Sequence, residues 1–259
     1  MNWIEAIILG LIQGLTEFLP VSSSGHLEIG KVLFGIDASE NFYFSLAVHG
    51  ATVASTLVVF RKEILCLLKG VLAFRMNEET TYVLKIIVSM IPAGLAGFLL
   101  RDEIVGLFNG KMNIVGSMLL VTAFLLTAGH FSSNRAKPIG WLDAVIIGIS
   151  QAFALIPGIS RSGATIATGM MIGNRRDELA KFSFLMVLVP VIGANLLELF
   201  TGDVTDTGTG TELLLAGSIA AFISGYLACR WMISLVRKSK LIWFAIYCAA
   251  AGLLTILFG

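Results

Sequence analysis

Charge is scarce in this 259-residue chain: Asp, Glu, Lys and Arg together supply 14% of it, where soluble domains carry about 25%. With 56% hydrophobic residues and a mean hydropathy of +0.88, that deficit excludes a soluble globular enzyme. An excess of either sign is missing too. The 18 basic and 17 acidic side chains leave a formal net charge of +1, so nothing global argues for a nucleic-acid partner. Cysteine is limited to Cys66, Cys229 and Cys248, far apart in apolar stretches and without CxxC spacing, which leaves no disulfide framework and reads as inert residues facing lipid or core. The N-terminal apolar run lacks a basic leader and is interrupted by Gln13 and Glu17; it is read as part of the mature fold rather than a signal peptide.

What is present in abundance is apolar sequence of membrane-spanning length. A spanning helix needs about 20 mostly apolar residues, and six stretches qualify: about 42–60, 83–100, 112–131, 182–200, 213–230 and 241–258. Two others, 3–19 and 141–156, each run into a proline, a Ser/Gly cluster and a short second apolar stretch (27–36 and 164–173). Each reads as a re-entrant pair of half-helices whose non-helical tip must be covered by protein or a wet cavity, because lipid cannot satisfy free backbone groups.

Basic residues fix the expected orientation, since positive loops stay cytoplasmic. Fourteen of the 18 lie in alternate connecting segments: Arg61, Lys62, Lys69, Arg75 and Lys85; Arg135 and Lys137; Arg175, Arg176 and Lys181; and Arg230, Arg237, Lys238 and Lys240. The opposite loops hold Lys31, Arg101 and Lys111, and the 201–212 loop has Asp203, Asp206 and Glu212 without a base. The first re-entrant pair should therefore enter from outside, the second from the cytoplasm, with the C-terminus outside.

A shift of 138 residues lays Trp3–Gln13 on Trp141–Gln151 with five identities and five conservative matches, Ser22-Ser23-Ser24-Gly25 on Ser160-Arg161-Ser162-Gly163, and Phe44-Ser45 on Phe182-Ser183. The expected fold is an all-α integral membrane protein of one domain, residues 1–259, with six transmembrane helices plus two re-entrant helix pairs in an inverted-topology repeat of about 1–131 and 139–259. In such folds the site forms at the midplane where the repeats meet.

The two tips hold the reactive residue types. Gln13 and Glu17 are four apart on one helical face; Ser22, Ser23, Ser24, Gly25 and His26 follow Pro20; Ser160, Arg161, Ser162, Gly163 and Thr165 follow Pro157. An ionised group at bilayer depth costs about 2.5–3.5 kcal/mol on insertion scales, so Glu17 and Arg161 are expected to share a polar cavity. The halves have diverged there: Glu17 matches Leu155, His26 matches Ala164 and Ser23 matches Arg161. One half supplies acid, imidazole and hydroxyls, the other a guanidinium fork suited to phosphate oxygens. Candidate catalytic residues are Glu17, His26, Ser23 and Arg161; candidate substrate-binding residues are Gln13, Ser22, Ser24, Gly25, Ser160, Ser162, Gly163 and Thr165. Glu17 polarising His26, which activates Ser23 or a water, is one expected arrangement, with direct attack by His26 another. His49 reads as a packed histidine, Glu198 and His130 as span-end residues, and Glu28 as either a cavity-mouth or a solvated residue. A transporter or flippase of an anionic prenyl-phosphate lipid is the rival expectation, since broken helices in inverted repeats also serve transport.

At these residues the chain resembles the bacterial undecaprenyl-diphosphate phosphatase family of the bacitracin-resistance type. Two motifs carry the likeness: (E/Q)xxxE followed by PxSSxGH, here Gln13 to Glu17 and Pro20 to His26, and PGxSRSxxT, here Pro157 to Thr165. The resemblance implies a multi-pass enzyme of the bacterial plasma membrane that removes the terminal phosphate of undecaprenyl diphosphate, recycling the lipid carrier for peptidoglycan, with its site open to the outer face. It implies catalytic roles for Glu17, Ser23, His26 and Arg161 and a phosphate pocket of Ser22, Ser24, Ser160, Ser162 and Thr165. It also implies a divalent cation, Mg2+ or Ca2+, with Glu17 as a ligand; Gln13 stands where many members have Glu, which weakens a two-carboxylate metal site. Partners implied are the prenyl diphosphate lipid and membrane lipid, with a homodimer left open.

Overall fold

The structure, a computed structural model, describes residues 1–35, 42–107, 111–133, 135–201, 210–238 and 240–258, without the side chains at 42, 101, 105 and 194–201. Among the described residues the chain is all helical. Its helices are α1 (Trp3–Phe18), α2 (Ser23–Phe34), α3 (Phe42–Val59), α4 (Arg61–Leu72), α5 (Glu78–Leu99), α6 (Arg101–Leu107), α7 (Met112–Phe131), α8 (Trp141–Phe153), α9 (Arg161–Met171), α10 (Arg176–Thr201), α11 (Thr211–Arg237) and α12 (Ile242–Phe258).

Helices α5, α7 and α11 are long and apolar enough to cross a membrane, and α3 with α4 forms a fourth apolar unit bent by 74°. The chain is thus an all-helical, multi-pass membrane protein. The outward faces agree: Phe98 is 83% and Phe124 71% exposed, a surface that water does not favour and lipid does. Helix α12 is apolar but has only 17 residues; of the expected span 182–200 the side chains from 194 on, Glu198 among them, lie outside those described, and Asp203 and Asp206 lie outside the described residues.

One expectation needs correcting. The segment after residue 60, read as a connecting loop, opens with α4, because Arg61, Lys62 and Lys69 alternate with apolar residues at helical spacing; Ile64 and Leu67 pack on the core while Leu65, Leu68 and Leu72 stay exposed. The short helices α2 and α9 start at Ser23 and Arg161, ahead of the apolar stretches 27–36 and 164–173. Ser22 Oγ accepts from Gly25 N–H and Ser160 Oγ from Gly163 N–H, as hydroxyls do at helix starts.

Several contacts of the second helix pair fall at positions that the 138-residue shift matches to the first. Glu5 accepts a hydrogen bond from Asn2 N–H, and Asp143, its counterpart under the 138-residue shift, accepts from Gly140 N–H. Phe44 and Phe182, likewise matched, are both fully buried. Gly10 of α1 backs onto Gly217 of α11, and Gly148 of α8 backs onto Ser89 of α5, each leaving no room for a Cβ. Lipid provides no hydrophobic drive between helices, so small residues that permit backbone contact hold such pairs together. Gly116 and Gly252 fix α7 to α12 in the same way.

Candidate active site

The site is built at the turns that follow α1 and α8. Leu19 caps α1 in extended conformation, and Ser22 then takes φ +70°, a backbone region that L-residues with a Cβ rarely occupy and that clusters at functional positions. The second turn bends at Gly158, φ +96°, where a Cβ would meet the Val115 carbonyl. Thr122 of α7 secures this turn, its hydroxyl accepting from Ser160 N–H at 3.0 Å and donating to the Gly158 carbonyl at 3.1 Å.

The two turns touch. Ser162 Oγ donates to the Leu19 carbonyl at 3.3 Å, and added Cβ atoms at Gly25 and Gly163 would lie 3.3 Å from Gly158 Cα and Pro20 Cβ respectively. These two glycines therefore serve close approach. The contact sets the N-terminal ends of α2 and α9, each with unpaired N–H groups and a partial positive charge, at one cavity wall with the Glu17 carboxylate.

Glu17 is the hub. Its Oε2 accepts from Ser23 Oγ at 2.7 Å and from Gln13 Nε2 at 3.0 Å, and its Oε1 lies 3.6 Å from Arg161 Nη2. The carboxylate is 11% exposed and the guanidinium 29%, so the pair is sheltered yet reachable. Two cavities share Glu17 and Arg161 as a common wall. One is polar and lined by Thr16, the serines 22–24 and Ser160. The other runs past Thr52, Thr56, Ser162 and Ser183 to the apolar Val187, Leu188 and Val191.

His26 faces elsewhere. Its Nδ1 is 2.8 Å from the Ser22 carbonyl and its Nε2 is 2.7 Å from the Tyr247 hydroxyl, so neither nitrogen reaches Glu17 or Ser23. The relay Glu17 to His26 to Ser23 is replaced by a direct Glu17–Ser23 hydrogen bond, because Ser22 accepts from the imidazole one helical turn on and α12 holds the other nitrogen. Thr165 is fully buried, with Oγ1 2.6 Å from Ser183 Oγ and also donating to the Arg161 carbonyl; it braces the α9–α10 contact and lines neither cavity. Ser22 and Ser24 stand 3.3 Å apart on the polar wall. Glu28 pairs with Lys31 at 3.2 Å, which settles it as an ion-pair residue away from the cavities. His49 is half-buried, with Nδ1 2.8 Å from the Ser45 carbonyl.

Sequence reasoning missed Thr122, Thr52, Thr56, Ser183 and Tyr247. A threonine inside an apolar span ordinarily bonds its own helix, and a tyrosine among lipid-facing residues ordinarily anchors at the interface, so neither carries a local signal. Ser183 alone had one, its match to Ser45 in the repeat.

A carboxylate, a hydroxyl at hydrogen-bond distance and a guanidinium make a sheltered polar centre inside a multi-pass helical membrane protein, with a fork of the kind that suits phosphate oxygens. The chain belongs to the family described as bacitracin resistance protein BacA, whose model matches residues 6–254. It is 53% identical to a protein of Bacteroides fragilis named undecaprenyl-diphosphatase, over 99% of this chain and 98% of the relative. Proteins of the same name from Bacteroides thetaiotaomicron (52% identity, 99% of both chains) and Christiangramia forsetii (50%, 100% of this chain and 98% of the relative) are similarly matched.

Proposed function

We infer that this chain is an undecaprenyl-diphosphatase, cleaving the terminal phosphoanhydride to give undecaprenyl phosphate and inorganic phosphate and so returning the lipid carrier to wall synthesis. The observation that carries the reading is the Glu17 carboxylate, bonded to Ser23 Oγ by one oxygen and facing Arg161 with the other. Glu17 takes the Ser23 proton as Oγ attacks the terminal phosphorus; the P–Oγ bond forms, the bridging P–O bond breaks and undecaprenyl phosphate leaves. Water then attacks the phosphoserine, Oγ departs and recovers a proton, and phosphate is released. Arg161 and the free N–H groups opening α2 and α9 hold the equatorial phosphate oxygens, where charge is spread in the transition state.

Gln13 Oε1 is buried without a hydrogen-bond partner, one helical turn from Glu17. Gln13 turns its Nε2 rather than this oxygen toward Glu17, so of the pair the Glu17 carboxylate is the group that would hold a divalent cation, with substrate phosphate completing the shell; no cluster of three or more His, Cys, Asp or Glu side chains occurs among the described residues. Such an ion, when bound, offsets phosphate charge.

The membrane arrangement we propose has α3, α5, α7, α10, α11 and α12 as spans and α1–α2 and α8–α9 as re-entrant pairs in inverted halves, with the site opening to the outer face of the plasma membrane. At about 1.5 Å per residue, the 12 residues of α2, 13 of α8 and 11 of α9 reach less than about 20 Å, short of a hydrocarbon core of about 30 Å. The matched capping and helix contacts of the two pairs support the repeat, and the basic loops support the orientation. The test is phosphate release from undecaprenyl diphosphate by purified protein in detergent. Release abolished by Glu17→Gln is the expected result; absence of release from the unaltered protein overturns the reading and favours a transporter.

A further inference from the structure

Tyr247 lies on the outward stripe of α12 with Trp243 and Leu254, the three 48–69% exposed, yet its hydroxyl turns inward to His26. The Tyr247 oxygen is 2.7 Å from His26 Nε2, and the two rings stack with centroids 5.5 Å apart and an interplanar angle of 15°. The other ring nitrogen, Nδ1, is 2.8 Å from the Ser22 carbonyl. A carbonyl only accepts, so Nδ1 carries a proton; the neutral ring then offers its lone pair at Nε2, where the Tyr247 O–H donates. The contact is registered by its surroundings. Cys248, the next residue, donates to the Pro20 carbonyl at 3.6 Å, and α12 is fixed on α7 by the Gly116–Gly252 approach.

We propose that Tyr247 is the positioning residue of the site, fixing the tautomer and plane of His26 from the lipid-facing side. The proposal rests on the reading of this chain as a phosphatase and on the place of His26 in the first turn of α2, three residues after Ser23. Three constraints act on the ring at once: a carbonyl at Nδ1, a hydroxyl at Nε2 and a parallel aromatic face. A side chain with two rotatable bonds needs no more than these to be held in one orientation. The hydroxyl also occupies the single lone pair with which neutral His26 accepts a proton or attacks phosphorus. His26 therefore becomes reactive at Nε2 only when a phosphate oxygen or water takes over from Tyr247; it lines neither cavity, so its influence on the reaction passes through the first turn of α2, which carries Ser23.

The test compares Tyr247→Phe, which keeps the ring and the stack and removes one oxygen, with Tyr247→Leu, which removes both, and with His26→Asn. Steady-state phosphate release from undecaprenyl diphosphate is measured for each, together with 15N spectra of histidine-labelled protein in which His26→Asn identifies the His26 signals. Tyr247→Phe should lower kcat about tenfold, the equivalent of one hydrogen bond of about 1.4 kcal/mol, leave KM within about twofold and displace the His26 Nε2 resonance. Tyr247→Leu should lower kcat further. The spectra are read on folded protein whatever the activity. An unchanged Nε2 resonance and unchanged kcat in Tyr247→Phe, with His26→Asn inactive, overturn the role of Tyr247 and leave the site assignment standing; full activity in His26→Asn overturns the site assignment itself.

Discussion

Arg161 Nη2 stands 3.6 Å from Glu17 Oε1, a guanidinium opening one short helix beside a carboxylate closing another. The separation is longer than a tight ion-pair hydrogen bond of about 2.8 Å, and it leaves the guanidinium N–H groups available to a phosphate oxygen. A centre of this kind lowers the cost of each buried charge with the other while keeping both available to substrate. The predictions below follow from that geometry and from the packing that maintains it.

Glu17→Gln and Ser23→Ala should each reduce kcat for phosphate release by at least about a hundredfold, the scale of a lost proton acceptor or nucleophile. Acid quenching of the unaltered enzyme during turnover should trap phosphate on Ser23, detectable by mass spectrometry of the peptide. A Ser23→Ala enzyme of normal kcat would remove the serine from the mechanism.

Arg161→Lys keeps the charge but loses the planar fork. We expect kcat/KM to fall about a hundredfold while thermal unfolding in detergent changes little, because the Glu17 contact is partly exposed and long. Comparing phosphate release with the unfolding midpoint separates the two; equal losses in both would make Arg161 a structural residue.

Removing divalent cations with a chelator should suppress phosphate release, and adding back Mg2+ or Ca2+ should restore it. Gln13→Glu places a second carboxylate one turn before Glu17 and should lower the cation concentration needed for half-maximal activity, since hard cations favour anionic oxygen. A titration unchanged by Gln13→Glu would place the cation elsewhere.

Gly14→Ala drives a methyl group into the Ala221 carbonyl and Ser224 hydroxyl of α11. Overpacking of that kind costs about 1–3 kcal/mol, and the unfolding midpoint should drop by several degrees. Gly50→Ala, where a Cβ meets nothing within 4 Å, should leave it unchanged.

Cys66 is exposed on α4, whereas Cys229 and Cys248 are buried. One thiol per folded chain should react rapidly with a membrane-permeant maleimide, and all three after denaturation, counted by intact mass. Cys66→Ser should abolish the fast phase.

Much of the site could be read from the residues because burial of charge is expensive wherever it occurs. Glu17 and Arg161 had to find each other in so apolar a chain, and the 138-residue repeat said which turns would bring them together. Gly25 and Gly163 were legible as part of the site but not in their role, which is to let two backbones touch. The bend between α3 and α4 was hidden by the same basic residues that marked the segment as a loop, since an amphipathic helix and a basic connection share a composition.

From sequence alone came the lipid-facing character of the chain, its all-helical class and the polar groups of the two turns, since these depend on composition, period and the energetics of single residues. Only the tertiary structure decided which of those groups bond to one another. Glu17 reaches Ser23 and not His26 because Ser22 adopts φ +70° and α12, from the far end of the chain, lays Tyr247 against the imidazole. Hydrogen bonds are made over about 3 Å and in fixed directions, and that precision comes from the packing of helices distant in sequence, which no local pattern encodes.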